Sequence, residues 1–253
     1  MEVFVAIDYF ILLHKQFKHR NSFCFMIKGV LFDAVGTLIK MQPKISEMIY
    51  DSVQKYNVTK EEFSRAYIKA REFYYSIYEK NFSFGNFREF WPAFIQVVVK
   101  DLGIEKNIGE KIYDKIIEKT KFVRYPESLE VLGILSKKYV IGVVSNWDLE
   151  IDIYGVFEDL EMKKYISVIL ASKDIKILKP NPRIFLEALR RINLAPYQCF
   201  YIGDDPYEDF YGAKNVGLIP ILIDREERYK ELDCLKIKNL KGIYPYLEKN
   251  KFL

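Results

Sequence analysis

Short apolar runs that end on polar or acidic residues recur along this chain, and stretches of helical periodicity separate them. Gly29 to Ala34 is the first run; it reaches Asp33 and is followed by Gly36-Thr37, the pattern of a buried strand entering a turn. Tyr139 to Asn146, Tyr165 to Ala171, Cys199 to Asp204 and Ile219 to Asp224 repeat the pattern. Pro126 to Lys138, Asn181 to Ile192 and Tyr207 to Val216 read as helices between them. This alternation predicts a parallel sheet covered on both faces, an α/β fold of three layers, α/β/α.

Residues 41 to 121 break the alternation. Phe63, Ala66, Tyr67, Ala70, Phe73, Tyr74 and Ile77 recur at three- and four-residue steps, the apolar stripe of one amphipathic helix. Further helical stretches follow at Phe90 to Val99 and Ile108 to Thr120, with linkers expected at Met41 to Lys44 and Lys121 to Pro126. The predicted organisation is a catalytic core of residues 26–40 and 122–253 interrupted by an all-helical cap of residues 41–121. Residues 1–25 stand apart. Their apolar run, Val3 to Leu13, is broken by Asp8 and falls short of the roughly 20 residues of a membrane span. Glu2 precedes the run and Lys15, Lys18 and Arg20 follow it, the reverse of a signal peptide. With Met26 placed directly before the first strand, these residues are expected to be a start-site artefact or a poorly packed appendage.

Composition narrows the chemistry. Half of the 253 residues are hydrophobic and 29% are charged, enough to bury a sizeable core. The net charge of +4 is interspersed rather than blocked, so neither nucleic acid nor membrane is expected as a partner. Cys24, Cys199 and Cys234 show no C-x-x-C spacing and read as reduced thiols of a cytoplasmic protein, with Cys199 a buried strand residue. Both histidines, His14 and His19, lie near the N-terminus. Ser-His and Cys-His pairs and histidine-rich metal sites are therefore excluded from the main body, which must work with carboxylates, lysines or hydroxyls.

Ligands of open parallel sheets bind beyond the carboxyl ends of the strands, so strand-end residues are candidates for one shared site. They are Asp33 and Thr37 after the first strand, Ser145 and Asn146 after the second, Lys179 beyond the third, and Asp204, Asp205 and Asp209 after the fourth. Singly each has an ordinary reading: Asp33 as a turn residue, Ser145-Asn146 as a cap, Asp205-Pro206 as a helix start. Together they form a carboxylate cluster with one lysine. Asp33 and Asp204 brought close would repel, and hard carboxylate oxygens suit Mg²⁺. A carboxylate can attack phosphorus to give an aspartyl-phosphate, while Lys179 and the metal offset the transferring charge.

These residues resemble the haloacid dehalogenase superfamily, whose four motifs match in order across residues 29 to 217. They stand as Phe32-Asp33-Ala34-Val35-Gly36-Thr37-Leu38, Val144-Ser145-Asn146, Lys179-Pro180-Asn181-Pro182, and Ile202-Gly203-Asp204-Asp205-Pro206-Tyr207-Glu208-Asp209. The resemblance implies a Rossmann-like core with a helical cap between the first and second motifs. It implies that Asp33 is the nucleophile, that Thr37, Ser145 and Asn146 contact the substrate phosphate, and that Lys179 neutralises it. Asp33, Asp204 and the Val35 backbone carbonyl would hold Mg²⁺, with Asp205 and Asp209 supporting from behind. The expected activity is hydrolysis of a small phosphorylated metabolite. Val35 departs from the pattern, since phosphatases of this superfamily usually carry an acid-base aspartate there. That departure keeps two alternatives open, a weakly active or regulatory phosphate-binding protein and a 2-haloacid dehalogenase.

Overall fold

The computed structural model describes residues 26–78, 87–147 and 149–249, with side chains for all of these except 73–78, 87–89 and 249. The N-terminal extension, Cys24 and the stripe residues Phe73, Tyr74 and Ile77 lie outside the described side chains.

Six parallel strands form the core sheet in the order β5-β4-β1-β6-β7-β8. They are β1 (Gly29–Phe32), β4 (Val140–Ser145), β5 (Val168–Ala171), β6 (Cys199–Gly203), β7 (Ile219–Ile223) and β8 (Lys236–Ile237). Alternation along each strand sorts side chains between two apolar layers. Val30 and Phe32 join Ile141, Val143, Phe200 and Ile202 on one face. Leu31 joins Val144, Leu170, Cys199 and Tyr201 on the other. Every β1 side chain in these layers is fully buried, so truncating Leu31 to alanine would cost about 2–5 kcal/mol. The strand order reverses at β1, and the carboxyl ends of β1, β4 and β6 therefore flank one crevice.

The helical insert between β1 and β4 begins and ends in an antiparallel ribbon of β2 (Ile39–Gln42) and β3 (Lys121–Arg124), with Ile39 opposite Arg124 and Gln42 opposite Lys121. The expected linkers thus include paired strands; two four-residue segments so far apart in sequence give no periodicity long enough to read. Between them run α1 (Ile45–Val53), α2 (Lys60–Tyr78), α3 (Phe87–Asp101) and α4 (Gly109–Lys119). Thr59 and Glu62 start α2 by a reciprocal capping box, at 2.9 Å from Thr59 N to Glu62 Oε2 and 3.2 Å from Glu62 N to Thr59 Oγ1. α4 has no Ser or Thr cap. Instead Gln96 of α3 accepts from the Ile108 and Gly109 amides at 3.0 Å each, fixing α4 against α3. Phe63, Ala66 and Ala70 of the predicted stripe are buried with Ile95, Val98 and Ile112 in a separate apolar cluster.

The remaining helices, α5 (Ser128–Leu135), α6 (Ile153–Asp159), α7 (Ser172–Ile175), α8 (Pro182–Ile192), α9 (Gly212–Asn215) and α10 (Tyr244–Lys249), flank the sheet. The helix expected over Tyr207 to Val216 is interrupted: Pro206–Tyr211 winds as π turns before α9 begins at Gly212. Gly212 lies so close to Phe185 and Pro180 that a Cβ would stand only 2.9 to 3.0 Å from them. Among the described residues no helix is long and apolar enough to cross a membrane.

Candidate active site

Asp33 directly follows β1, and its amide still donates to Ile202 O at 2.8 Å. The sheet therefore fixes its backbone. Two glycines then let carboxylates converge. Gly36 has φ +94°, and a Cβ there would collide with the Asp204 carboxylate; a Cβ on Gly203 would collide with that of Asp209.

Lys179 stands at the centre, 1% exposed. Its Nζ donates to Asp33 Oδ1 at 2.6 Å, Asp209 Oδ1 at 2.7 Å and the Tyr201 hydroxyl at 3.2 Å, three partners for three protons. The Tyr201 hydroxyl lies 3.0 Å from Asp209 Oδ1 and 3.2 Å from Val144 O. Asn146 holds the lysine's backbone: its Oδ1 accepts from Lys179 N at 2.7 Å, and its Nδ2 donates to Lys179 O at 3.1 Å and Glu208 Oε2 at 2.8 Å. Burial disfavours the Lys179 ammonium, yet Asp209 and Asp33 outweigh it and hold its pKa well above the ordinary value. Burial pushes Asp33 up to about 6, against the pull of Lys179. Burial, then Asp33 and Asp209, push Asp204 well above the usual carboxylate range, with Arg228 pulling the other way from 3.5 Å.

Removing the lysine alone would leave two buried carboxylates facing one another. Lys179→Met is expected to destabilise the fold by about 3–5 kcal/mol at neutral pH. Denaturant unfolding checks this, and a loss below 1 kcal/mol, on the scale of about 0–1 kcal/mol for an exposed pair, would show that the ammonium does not bind the cluster together.

Asp33, Asp204 and Asp209 each present an oxygen within 4.8 Å of the others. Such a set of hard, mutually repelling oxygens fits a divalent cation. The other sequence candidates are placed as follows. Ser145 and Thr37 are buried at 2% and 0% exposure, and Thr37 Oγ1 has no hydrogen-bond partner among the described residues. Val35 is half-buried with its side chain against the core layer that contains Trp147. Asp205 caps the π turns, accepting from the Tyr207 and Glu208 amides at 2.8 and 2.9 Å, while its own amide donates to Asp209 Oδ2 at 3.1 Å.

The haloacid dehalogenase-like hydrolase family model matches residues 27–217. The chain belongs to this family. A glyceraldehyde 3-phosphate phosphatase of Methanopyrus kandleri is 24% identical over 82% of this chain and 88% of its own. A (S)-2-haloacid dehalogenase 4A of Burkholderia cepacia is 22% identical over 88% of this chain and 96% of its own. Among solved structures, magnesium-bound YfnB of Bacillus subtilis superposes with a TM-score of 0.71 at 17% identity, covering 88% of this chain and 99% of that one.

Four side chains at the site of this hydrolase escaped the sequence reading: Tyr201, Glu208, Arg225 and Arg228. Tyr201 sits within an apolar strand and looks like core. Glu208 lies between candidates that matched better. Arg225 and Arg228 stand two and five residues beyond β7, and their bonds to Gly36, Thr37 and Asp204 join segments that no spacing in the chain brings together.

Proposed function

We propose that this hydrolase is a Mg²⁺-dependent phosphatase of small phosphorylated metabolites, acting through an aspartyl-phosphate on Asp33. The observation that carries the reading is a buried Asp33 held by Lys179 at 2.6 Å, with Asp204 and Asp209 oxygens within 4.8 Å. The phosphatase relative supports it. Asp33 attacks phosphorus as the ester P–O bond breaks and the alcohol leaves, and water then hydrolyses the aspartyl-phosphate, releasing phosphate and the free carboxylate. Lys179, held in place by Asp209, Tyr201 and Asn146, offsets the charge on the phosphoryl oxygens. Asp33, Asp204 and the Val35 carbonyl would hold Mg²⁺, which supplies positive charge against the carboxylates and the phosphoryl group. Thr37 and Ser145 offer hydroxyls to the phosphate, and Asn146 orders the loop that carries Lys179. Helices α1 to α4 act as the cap that excludes water and selects the substrate. Cys199 is buried and Cys234 partly buried, both free, which fits the reduced, cytoplasmic setting read from the sequence.

Val35 and the dehalogenase relative favour a second reading, attack of Asp33 on the carbon of a 2-haloacid without metal. A chromogenic aryl phosphate assayed with and without Mg²⁺, beside halide release from a 2-haloacid, separates the two. The phosphatase reading expects metal-dependent aryl phosphate hydrolysis, lost or shifted to higher Mg²⁺ in Asp204→Ala. Halide release without metal, with no phosphate ester cleaved, would replace it by the dehalogenase reading. A protein that binds phosphate but turns over neither substrate would be regulatory.

A further inference from the structure

We infer that Arg225 is a positioning residue that locks the turn following Asp33 to the segment that leaves the outgoing strand of the helical insert, at Tyr125 and Glu127. Arg225 stands two residues beyond β7, and its side chain bonds to groups other than the Asp33 carboxylate. Its guanidinium reaches three places at once. Nε donates to Gly36 O at 3.2 Å, Nη2 to Thr37 O at 2.7 Å, and Nη1 to Glu127 Oε1 at 2.7 Å. Its Cζ lies over the Tyr125 ring, 3.5 Å from the centroid. The ion pair is sheltered, with side-chain exposures of 16% for Arg225 and 12% for Glu127. Glu127 is itself fixed by the Leu240 amide at 3.3 Å.

The surroundings make this a junction. Leu38 O accepts from Tyr125 N at 3.2 Å and from Ser128 Oγ at 2.7 Å, so the end of the Asp33 turn and the segment leaving β3 are already side by side. Arg225 adds the two carbonyls just upstream. Those carbonyls belong to the residues that place the turn against Asp204, since Gly36 packs directly beside that carboxylate. A shift at Gly36 therefore frees the Asp204 carboxylate to move relative to Asp33, whose own backbone the sheet holds. Only arginine meets all these demands: two backbone acceptors, one carboxylate and a ring face need a planar fork with several donors, and an ammonium is a point charge that cannot span them.

The catalytic part of this inference rests on Asp33 being the nucleophile; the tie itself does not. The experiment accordingly has two arms, on Arg225→Ala, Arg225→Lys and Glu127→Gln. Hydrogen exchange of the metal-free, substrate-free protein reads the tie. Arg225→Ala should speed exchange selectively in peptides covering residues 34–39 and 125–128. Glu127→Gln, which keeps the bonds to both carbonyls, should leave 34–39 protected. Steady-state hydrolysis of an aryl phosphate reads the consequence. Arg225→Ala should lower kcat by roughly 10- to 100-fold with a smaller change in KM, as expected for misplacement of a reacting group, and Arg225→Lys should recover part of it. Unchanged exchange at 34–39 in Arg225→Ala, or exchange rising uniformly over the chain, would overturn the tie. Unchanged kcat despite a loosened turn would overturn the positioning role. A wild type that cleaves no phosphate ester would sink the phosphatase reading, with the exchange arm still deciding the tie.

Discussion

Asp33→Asn is expected to abolish hydrolysis while raising the stability of the metal-free protein above about pH 6. The two effects share a cause. The amide keeps the shape of the carboxyl group and its place at the end of β1, but it offers no anionic oxygen to attack phosphorus. Residual turnover should fall to the level set by positioning and electrostatics alone, a loss of at least about 10⁴-fold by analogy with other nucleophile deletions. For stability the sign follows from the direction of the pKa shift. Burial raises Asp33 from 3.8 to about 6, the attraction of Lys179 included. Between those values the folded state holds a proton that the unfolded chain has released. That contribution is fully present below 3.8 and is lost as pH rises through about 6. Asparagine mimics the protonated form and does not titrate, so the variant escapes the loss. Thermal melts across this window with chelator present should show wild type falling more steeply than Asp33→Asn, and Mg²⁺ should narrow the gap. Wild-type turnover in the variant would remove Asp33 from the nucleophile role. A variant less stable than wild type at neutral pH would mean that the Lys179 pairing outweighs desolvation.

The same residue shows which parts of the molecule are legible in sequence. Strand ends carrying Asp33, Asn146 and Asp204 announce themselves because each closes an apolar run, and the structure brings Asp33, Lys179, Asp204 and Asp209 into one cluster. The parallel sheet follows from the same runs. What escapes is whatever depends on partners distant in sequence. Tyr201 looks like core until Lys179, 22 residues away, is placed against its hydroxyl. The β2–β3 ribbon joins segments that separately look like linkers, and its pairing is decided by the ends of the helical insert meeting in space. The π turns at Pro206–Tyr211 look helical because their periodicity nearly matches that of an α-helix. Arg225 donates to carbonyls 188 and 189 residues away, and no spacing in the chain marks that contact.

Val35 stands where phosphatases of the superfamily usually carry an acid-base aspartate, and on the proposed mechanism it is expected to decide which phosphate esters are cleaved. With no acid two residues beyond Asp33, expulsion of a basic alkoxide from a sugar or alkyl phosphate goes unassisted, whereas an acyl or nitrophenyl phosphate leaves as a stabilised anion. Wild-type kcat/KM is therefore expected to fall steeply as the leaving group becomes more basic. Val35→Asp should selectively raise rates on alkyl phosphates by about 10²–10⁴-fold, the usual contribution of a positioned acid-base. The backbone at this position is held independently of the side chain. The Val35 backbone is fixed by its bridge to Ile39 and by the neighbouring bond from Gly36 N to Ile39 O at 2.8 Å, so the new side chain would leave the turn where it is. The side chain is half-buried against an apolar layer and close in sequence to Asp33. Desolvation and a neighbouring anion both raise the pKa of a carboxyl group, and a raised pKa keeps it protonated near neutrality, as proton donation to a leaving oxygen requires. The measurement is kcat/KM for wild type and variant across leaving groups of graded pKa, with the slope of the logarithm as readout. A shallower slope in Val35→Asp, with aryl phosphates little changed, is the expected result. A shallow slope already present in wild type, with no preferential gain for alkyl phosphates in the variant, would show that another residue, supplied by the helical insert or by Glu208, delivers the proton.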